Sequence, residues 1–85
     1  MDTKNWLKFA ETCKCDFCNC NFQDKLIEEC GGSEDIAWVV FHHLGQGSIV
    51  WLHASVPALG RKKPSTLINA GRSDEVREVL WRFPC

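Results

Sequence analysis

Hydrophobic side chains recur at intervals of three and four residues along the first twenty positions of the chain. The residues concerned are Trp6, Ala10, Cys13, Phe17 and Cys20. This spacing places them on one face of a helix, and Thr3 is suited to cap its amino terminus. Because no Gly or Pro interrupts residues 1–30, the pattern predicts a first helix with one buried face.

Two further helices are predicted on either side of Gly31-Gly32. Asn21 is a candidate cap for the segment Phe22–Cys30, which the glycine pair ends. Ser33 is a candidate cap for the segment Glu34–Leu44, whose acidic first turn and apolar spacing are typical of a helix. A strand is the alternative in the middle of that segment, because its residues are β-branched and aromatic from position 36 to 41.

The remainder of the chain predicts shorter helices. Ser48–His53 is one, and a loop then extends to Pro64, which fits the first position of the next helix. That helix ends near Gly71. Ser73 is a candidate cap for the last helix, which Pro84 ends. The inward positions of this last helix are Val76, Val79, Leu80 and Phe83.

The predicted architecture is all-α, a single small domain of five to six short helices. A chain of 85 residues with 45% hydrophobic side chains can bury one core but not two. Within it we distinguish a Cys-rich N-terminal helical segment, residues 1–32, from a helical module, residues 33–85. The sequence contains no internal repeat.

Charge and hydropathy exclude several classes of protein. The net charge is −1, and the longest basic run is Arg61-Lys62-Lys63. The segment Glu34–Leu44 contains no Lys or Arg, so no basic recognition helix is visible and we expect no specific DNA binding by this chain alone.

No run of 18 apolar residues is present, and the first residues lack the apolar core of a signal peptide. We therefore expect no membrane association, a cytoplasmic location and reduced cysteines.

The candidate metal ligands are four thiols close together in the sequence, those of Cys13, Cys15, Cys18 and Cys20. Thiolates bind zinc and other soft metals, but no second cysteine pair follows at the spacing of structural zinc sites. On a helix, at about 100° per residue, the four side chains point in different directions. We therefore expect Cys13 and Cys20 to pack as small hydrophobic residues, with no cofactor, and a Cys-cluster metal-binding module is the third functional alternative.

Catalytic motifs are not visible in the sequence. His42 and His43 are adjacent, so on a helix at least one of them faces outward, and His53 lies on another segment. There is no glycine-rich phosphate loop, nucleophile elbow or metalloprotease signature. We therefore expect structural histidines and a protein that is not an enzyme.

The C-terminal module carries a more specific pattern. Six short motifs follow one another in this order: Trp51-Leu52, Pro57-Ala58-Leu59-Gly60, Lys63-Pro64, Leu67-Ile68, Gly71 and the helix from Glu75 to Leu80. In this order they resemble the toxin-binding domain of the Xre/MbcA/ParS family of antitoxins over about residues 36–83. Val56 stands where that family usually has Asn. The candidate core of the module is Trp51, Leu52, Pro57, Leu59, Pro64, Leu67, Val76 and Leu80.

The resemblance implies a function in binding. Domains of that family bind a RES-type toxin, an enzyme that consumes NAD, and hold it inactive, so antitoxin-like neutralisation is the first expectation. A phage-encoded, anti-CRISPR-like inhibitor of a bacterial defence complex is the alternative, with a different protein partner. Four Trp in 85 residues also suggest aromatic surface for a homo-oligomer. The predicted partner-binding residues are Arg61, Lys62, Lys63, Arg72, Arg77, Trp81 and Arg82.

Overall fold

A computed structural model of the chain describes residues 3–83 and has helices throughout, with no strand among those residues. The α-helices, numbered in chain order, are α1 Thr3–Phe17, α2 Gln23–Glu29, α3 Glu34–Leu44, α4 Ser48–Leu52, α5 Pro64–Asn69 and α6 Ser73–Trp81. Two 3-10 segments, Gly45–Gly47 and Pro57–Leu59, precede and follow α4. The all-α prediction is confirmed, and the strand alternative at residues 36–41 is wrong, because these residues lie within α3. None of these helices combines the length and the apolar character needed to span a bilayer.

Helix α1 packs more extensively against α3 than against any other helix. The contact buries the predicted stripe, since Trp6, Ala10, Cys13 and Phe17 are at most 6% exposed. Cys20 is also buried, but it lies three residues beyond the end of α1. The hydrophobic periodicity therefore predicted the buried face correctly and the end of the helix too late.

The predicted serine and asparagine caps do not form. The N-cap residues of α2 and α6 are Phe22 and Arg72, not Asn21 and Ser73, and Ser33 makes no capping hydrogen bond although it precedes α3. Acidic side chains occupy the first turn of each of these helices instead. Their negative charge favours the positive end of the helix dipole without a capping side chain. Pro84, the predicted stop of α6, lies outside the described residues.

The loop between α4 and α5 folds back on itself. Its ends meet at an isolated antiparallel bridge, in which the Val56 N–H donates to the Lys62 carbonyl at 3.2 Å. Gly60 takes a left-handed conformation with φ 66°, which glycine adopts without steric cost. The turn buries Leu59 and leaves Pro57 exposed. Pro57 therefore contributes by fixing the backbone at the start of the turn and not by packing in the core.

One hydrophobic core joins the N-terminal segment and the C-terminal module. Of the candidate core residues, six are buried: Leu52, Leu59, Pro64, Leu67, Val76 and Leu80. Trp51 is only half-buried and packs edge-on against Phe83, with ring centroids 5.7 Å apart. The expectation of a core position is therefore wrong for Pro57 and too strong for Trp51, which lies at the border of the core.

Candidate protein-binding site

An open groove lies between the Pro57–Leu59 turn and helix α6. It is lined by Ala58 and Leu59 on one side and by Glu75, Glu78, Val79, Arg82 and Phe83 on the other. Its volume is about 380 Å³, at the lower end of the range of about 300–1,000 Å³ for ligand pockets. Four of its lining residues are apolar and three are charged. This combination of an apolar surface with charged edges is typical of the centre and rim of a protein interface.

The charged residues of α6 beside the groove are paired with one another. Arg82 donates from Nη2 to Glu78 Oε1 at 2.8 Å, one helical turn away. Arg72, which precedes α6, donates from Nε to Glu75 Oε2. Two arginines thus offset two glutamates, so these four residues give this side of the groove no net charge.

The loop Arg61–Lys63 continues directly from the opposite wall. All three of its side chains are exposed, and none of them takes part in a salt bridge within residues 3–83. Arg61 has a φ of 64°, in the left-handed region that costs an L-residue about 1–2 kcal/mol. Strained residues of this kind concentrate at functional positions. The loop is therefore a patch of three uncompensated positive charges on a constrained backbone.

Arg77 and Trp81 lie on a different face of α6. At about 100° per residue, Arg77 points away from the residues that line the groove, whereas Trp81 lies about 60° beyond Glu78, past the edge of that face. Arg77 donates to Asp35 Oδ2 at 2.8 Å and to Asp74 Oδ1 at 2.9 Å. The Trp81 ring packs edge-on against Phe9 of α1, with centroids 5.6 Å apart, and is 42% exposed. The residues predicted to contact a partner therefore occupy two surfaces and not one.

Arg77 is held by a carboxylate that is itself shared between helices. Asp35 accepts a second hydrogen bond from Trp6 Nε1 at 2.8 Å. The hydrogen bond to Asp35 raises the pKa of Arg77 above its ordinary value, although burial acts in the opposite direction. Most of the Arg77 guanidinium is therefore directed into the fold, where Asp35 and Asp74 already hold it.

The four cysteines of the candidate metal cluster do not converge. Cys13 and Cys20 are buried, whereas Cys15 and Cys18 are exposed. Within residues 3–83, no three His, Cys, Asp or Glu side chains are grouped so that they could hold a metal ion. Cys30 is also buried, and burial, with a smaller effect of two nearby carboxylates, raises the pKa of its thiol to about 12. Burial therefore favours the protonated thiol of Cys30 at neutral pH.

Two of the three histidines make hydrogen bonds that join different helical segments. His42 Nδ1 is hydrogen-bonded to Asp16 at the end of α1, and His53 Nε2 lies 2.6 Å from Glu29 Oε2 of α2. Burial, followed by the proximity of His42, lowers the pKa of His43 below its ordinary value of 6.5. The buried His43 Nε2 has no hydrogen-bond partner among the described residues. None of the three histidines lines the groove.

A serine–histidine–carboxylate chain is present at the C-terminal end of α4. Ser65 Oγ lies 3.5 Å from His53 Nδ1, and the other ring nitrogen faces Glu29. Ser65 is only 8% exposed, so its hydroxyl is covered and not presented to a substrate. We assign this chain the structural role of connecting α2, α4 and α5. Sequence reasoning missed it because the three residues are far apart in the chain.

Comparison of the chain with protein families, with characterised proteins and with solved structures found no match.

The sequence analysis did not predict the groove. A signal for one wall is present, because Glu75, Glu78, Val79 and Arg82 follow at the spacing of one helical face. The other wall depends on how the proline turn folds back towards α6, which the sequence pattern does not specify.

Proposed function

We propose that this protein is a non-enzymatic, antitoxin-like module that binds and neutralises a RES-type toxin. The observation that carries the proposal is the groove between the Pro57–Leu59 turn and α6, bordered by the exposed basic loop Arg61–Lys63. Both walls of the groove belong to residues 36–83, whose sequence resembles the toxin-binding domain. The groove and the sequence resemblance therefore both favour this surface as the toxin-binding site.

The binding surface in this proposal consists of the groove and the loop. Arg82 stands at the groove edge with a side chain that is 74% exposed. Arginine and apolar residues that meet in one desolvated patch contribute much of the energy of protein association. Arg77 and Trp81 are not assigned to this surface, because their contacts with Asp35 and Phe9 tie them to the fold.

Neutralisation of this kind needs no chemistry from the binding module. The module has only to cover the NAD site of the toxin or to stabilise an inactive arrangement of it. The arrangement of reactive groups supports this view, since two of the four clustered thiols are buried and His42 and His53 are hydrogen-bonded to carboxylates of other helices.

The proposal is tested by co-expression in a bacterial host. RES-domain toxins encoded in the same genome are produced from an inducible promoter, with and without the full chain, while growth and cellular NAD are measured. We expect a toxin alone to deplete NAD and stop growth, and the chain to restore both. The purified pair should also elute as one complex in size-exclusion chromatography.

Paired variants locate the contact. Ala58→Glu places a charge in the groove, and Ser55→Glu places the same charge at an exposed position that does not line it. We expect the first variant to lose protection and the second to retain it. If no such toxin is neutralised, the antitoxin proposal is wrong. If charge reversal at the exposed residues Asp24 and Glu28 abolishes binding of a partner instead, the interface lies on the N-terminal segment, and the inhibitor alternative takes its place.

A further inference from the structure

We infer that the groove binds an acidic segment of the partner protein, with an apolar side chain of that segment seated between the proline turn and α6. This inference rests on the proposed function, because it specifies the chemistry that the partner presents to the same surface. Charge complementarity and the apolar lining of the groove carry it.

The charge around the groove is one-sided. On the α6 side, Glu75 and Glu78 are each paired with an arginine and leave no net charge. On the side of the turn, the loop Arg61–Lys63 adds three positive charges that no acidic residue within residues 3–83 pairs with. A partner segment lying in the groove therefore meets a positive border, which favours Asp and Glu and disfavours Lys and Arg.

The lining of the groove selects an apolar residue at its centre. Leu59 is 7% exposed and so is already packed into the core, with part of its surface at the base of the groove. Val79 and Phe83 are half-buried, and Ala58 is exposed. An apolar side chain placed here removes these partly exposed surfaces from water, which is favourable in proportion to the area covered.

A nucleic acid is a less suitable occupant of the same surface. Three neighbouring cations are few compared with the basic face that a nucleic-acid-binding domain usually presents. The adjoining groove offers a phosphate backbone only an apolar lining and carboxylates that are already paired with arginines. A protein segment uses both the apolar and the charged parts of the surface, whereas a phosphate backbone uses only the loop.

The inference is tested with a probe that does not depend on the toxin. A phage-displayed library of random 12-residue peptides is selected against the immobilised full chain, and selected peptides are measured by fluorescence polarisation at two salt concentrations. We expect selected sequences to carry Asp or Glu on either side of a Leu, Ile, Phe or Trp. Their affinity should fall as salt increases, because the charges that attract them are exposed to solvent.

Matched variants separate the two parts of the surface. Lys62→Glu with Lys63→Glu should weaken these peptides about tenfold or more, while the equal charge change Lys4→Glu with Lys8→Glu on exposed positions of α1 should leave binding within about twofold. Ala58→Glu should abolish binding, and Ser55→Glu should not. Circular dichroism of each variant verifies that the helices are retained.

Three results would overturn the inference. They are selection of basic peptides, equal affinity of the selected peptides for the wild type and for Ala58→Glu, and tighter binding of a labelled DNA or RNA duplex than of any peptide. These results are distinguishable from failure of the proposed function. If acidic peptides bind the groove but no toxin is neutralised, the inference about the groove holds and the proposed antitoxin function is wrong. If a toxin is neutralised but no acidic peptides are selected, the proposed function holds and the inference about the groove is wrong.

Discussion

Arg77 of α6 and Asp35 of α3 form a half-buried ion pair across 42 positions of the chain, with Nε 2.8 Å from Oδ2. The same carboxylate oxygen accepts the indole N–H of Trp6, so three helices meet at Asp35. A carboxylate in this position requires both donors, because burial without them would favour its neutral form.

Loss of the Asp35 carboxylate should therefore destabilise the fold. We expect Asp35→Ala to lower the free energy of unfolding by about 2–4 kcal/mol, since it leaves the Trp6 indole without an acceptor and Arg77 with only the exposed carboxylate of Asp74. Urea unfolding followed by tryptophan fluorescence and circular dichroism measures this change. Glu34→Ala, at the exposed neighbouring position in the same helical turn, is the control and should change stability by less than about 1 kcal/mol. Equal effects of the two substitutions would contradict the role assigned to Asp35.

The same residue should make stability depend on pH. Burial alone would raise the pKa of Asp35, but hydrogen bonds from Arg77 and Trp6 and the charge of Arg77 outweigh it and lower the pKa below its ordinary value of 3.8. Because the folded-state pKa is the lower one, this stabilisation is complete above the unfolded-state pKa and is lost as the pH falls through the folded-state pKa. Asp35→Asn should therefore flatten the decline in unfolding free energy below about pH 4. An unchanged acid profile in this variant would count against the assignment.

Gly31 and Gly32 offer a matched pair at the end of α2. Both have left-handed φ angles, of 66° and 86°, but a Cβ on Gly31 would lie 2.7 Å from Ile68 Cγ2, whereas one on Gly32 meets nothing within 4 Å. Gly32→Ala should cost only the backbone strain, about 1–2 kcal/mol. Gly31→Ala should cost about 1–3 kcal/mol more, because Ile68 is packed in the core and cannot move freely. Thermal and urea unfolding of the two variants measure the difference, and equal losses would contradict the close approach of Ile68 to Gly31.

The cysteines should react in two groups. Cys15 and Cys18 are exposed, so iodoacetamide should alkylate them within minutes in the native protein. Cys20 and Cys30 are buried and should react only after unfolding, with Cys30 further protected by its raised pKa of about 12. Peptide mapping by mass spectrometry at successive times distinguishes the groups. Rapid native-state labelling of Cys30 would contradict its burial.

Arg61 should be dispensable for folding but should contribute to binding. Glycine at this position would relieve the left-handed strain, so we expect Arg61→Gly to be neutral or to stabilise the fold by about 1 kcal/mol. Its partner affinity should nevertheless fall, because one of three uncompensated charges is removed. Unfolding experiments and fluorescence polarisation with the selected peptides measure the two effects on one sample. Lower stability of the variant would indicate that Arg61 serves the fold.

Local periodicity was sufficient for most of the secondary structure. The stripe that begins at Trp6 identified the buried face of α1, because spacing along a helix is a property of neighbouring residues. The helix ends were less accurate, since Cys20 remains buried after the chain has left α1. A buried residue just beyond a helix can continue the apolar spacing of that helix. The spacing alone therefore does not show where the helix ends.

The candidate binding surface was only partly accessible to the same reasoning. Arg61–Lys63 was recognised because an uninterrupted basic run is visible in any sequence. Arg77 was assigned to that surface because it is charged and lies on an amphipathic helix, yet its partner Asp35 is 42 residues away. Such a pairing depends on the packing of α6 against α3, which no local signal specifies.

The position of Asp35 has a consequence for how this fold can be shortened or transplanted. Residues 33–85 cut free of α1 would leave one side of α3 open to water, and the carboxylate would lose its indole donor. The C-terminal module is therefore not a unit that can be grafted onto another protein by itself. A functional graft has to bring α1, or another helix that presents an apolar stripe and a hydrogen-bond donor in its place.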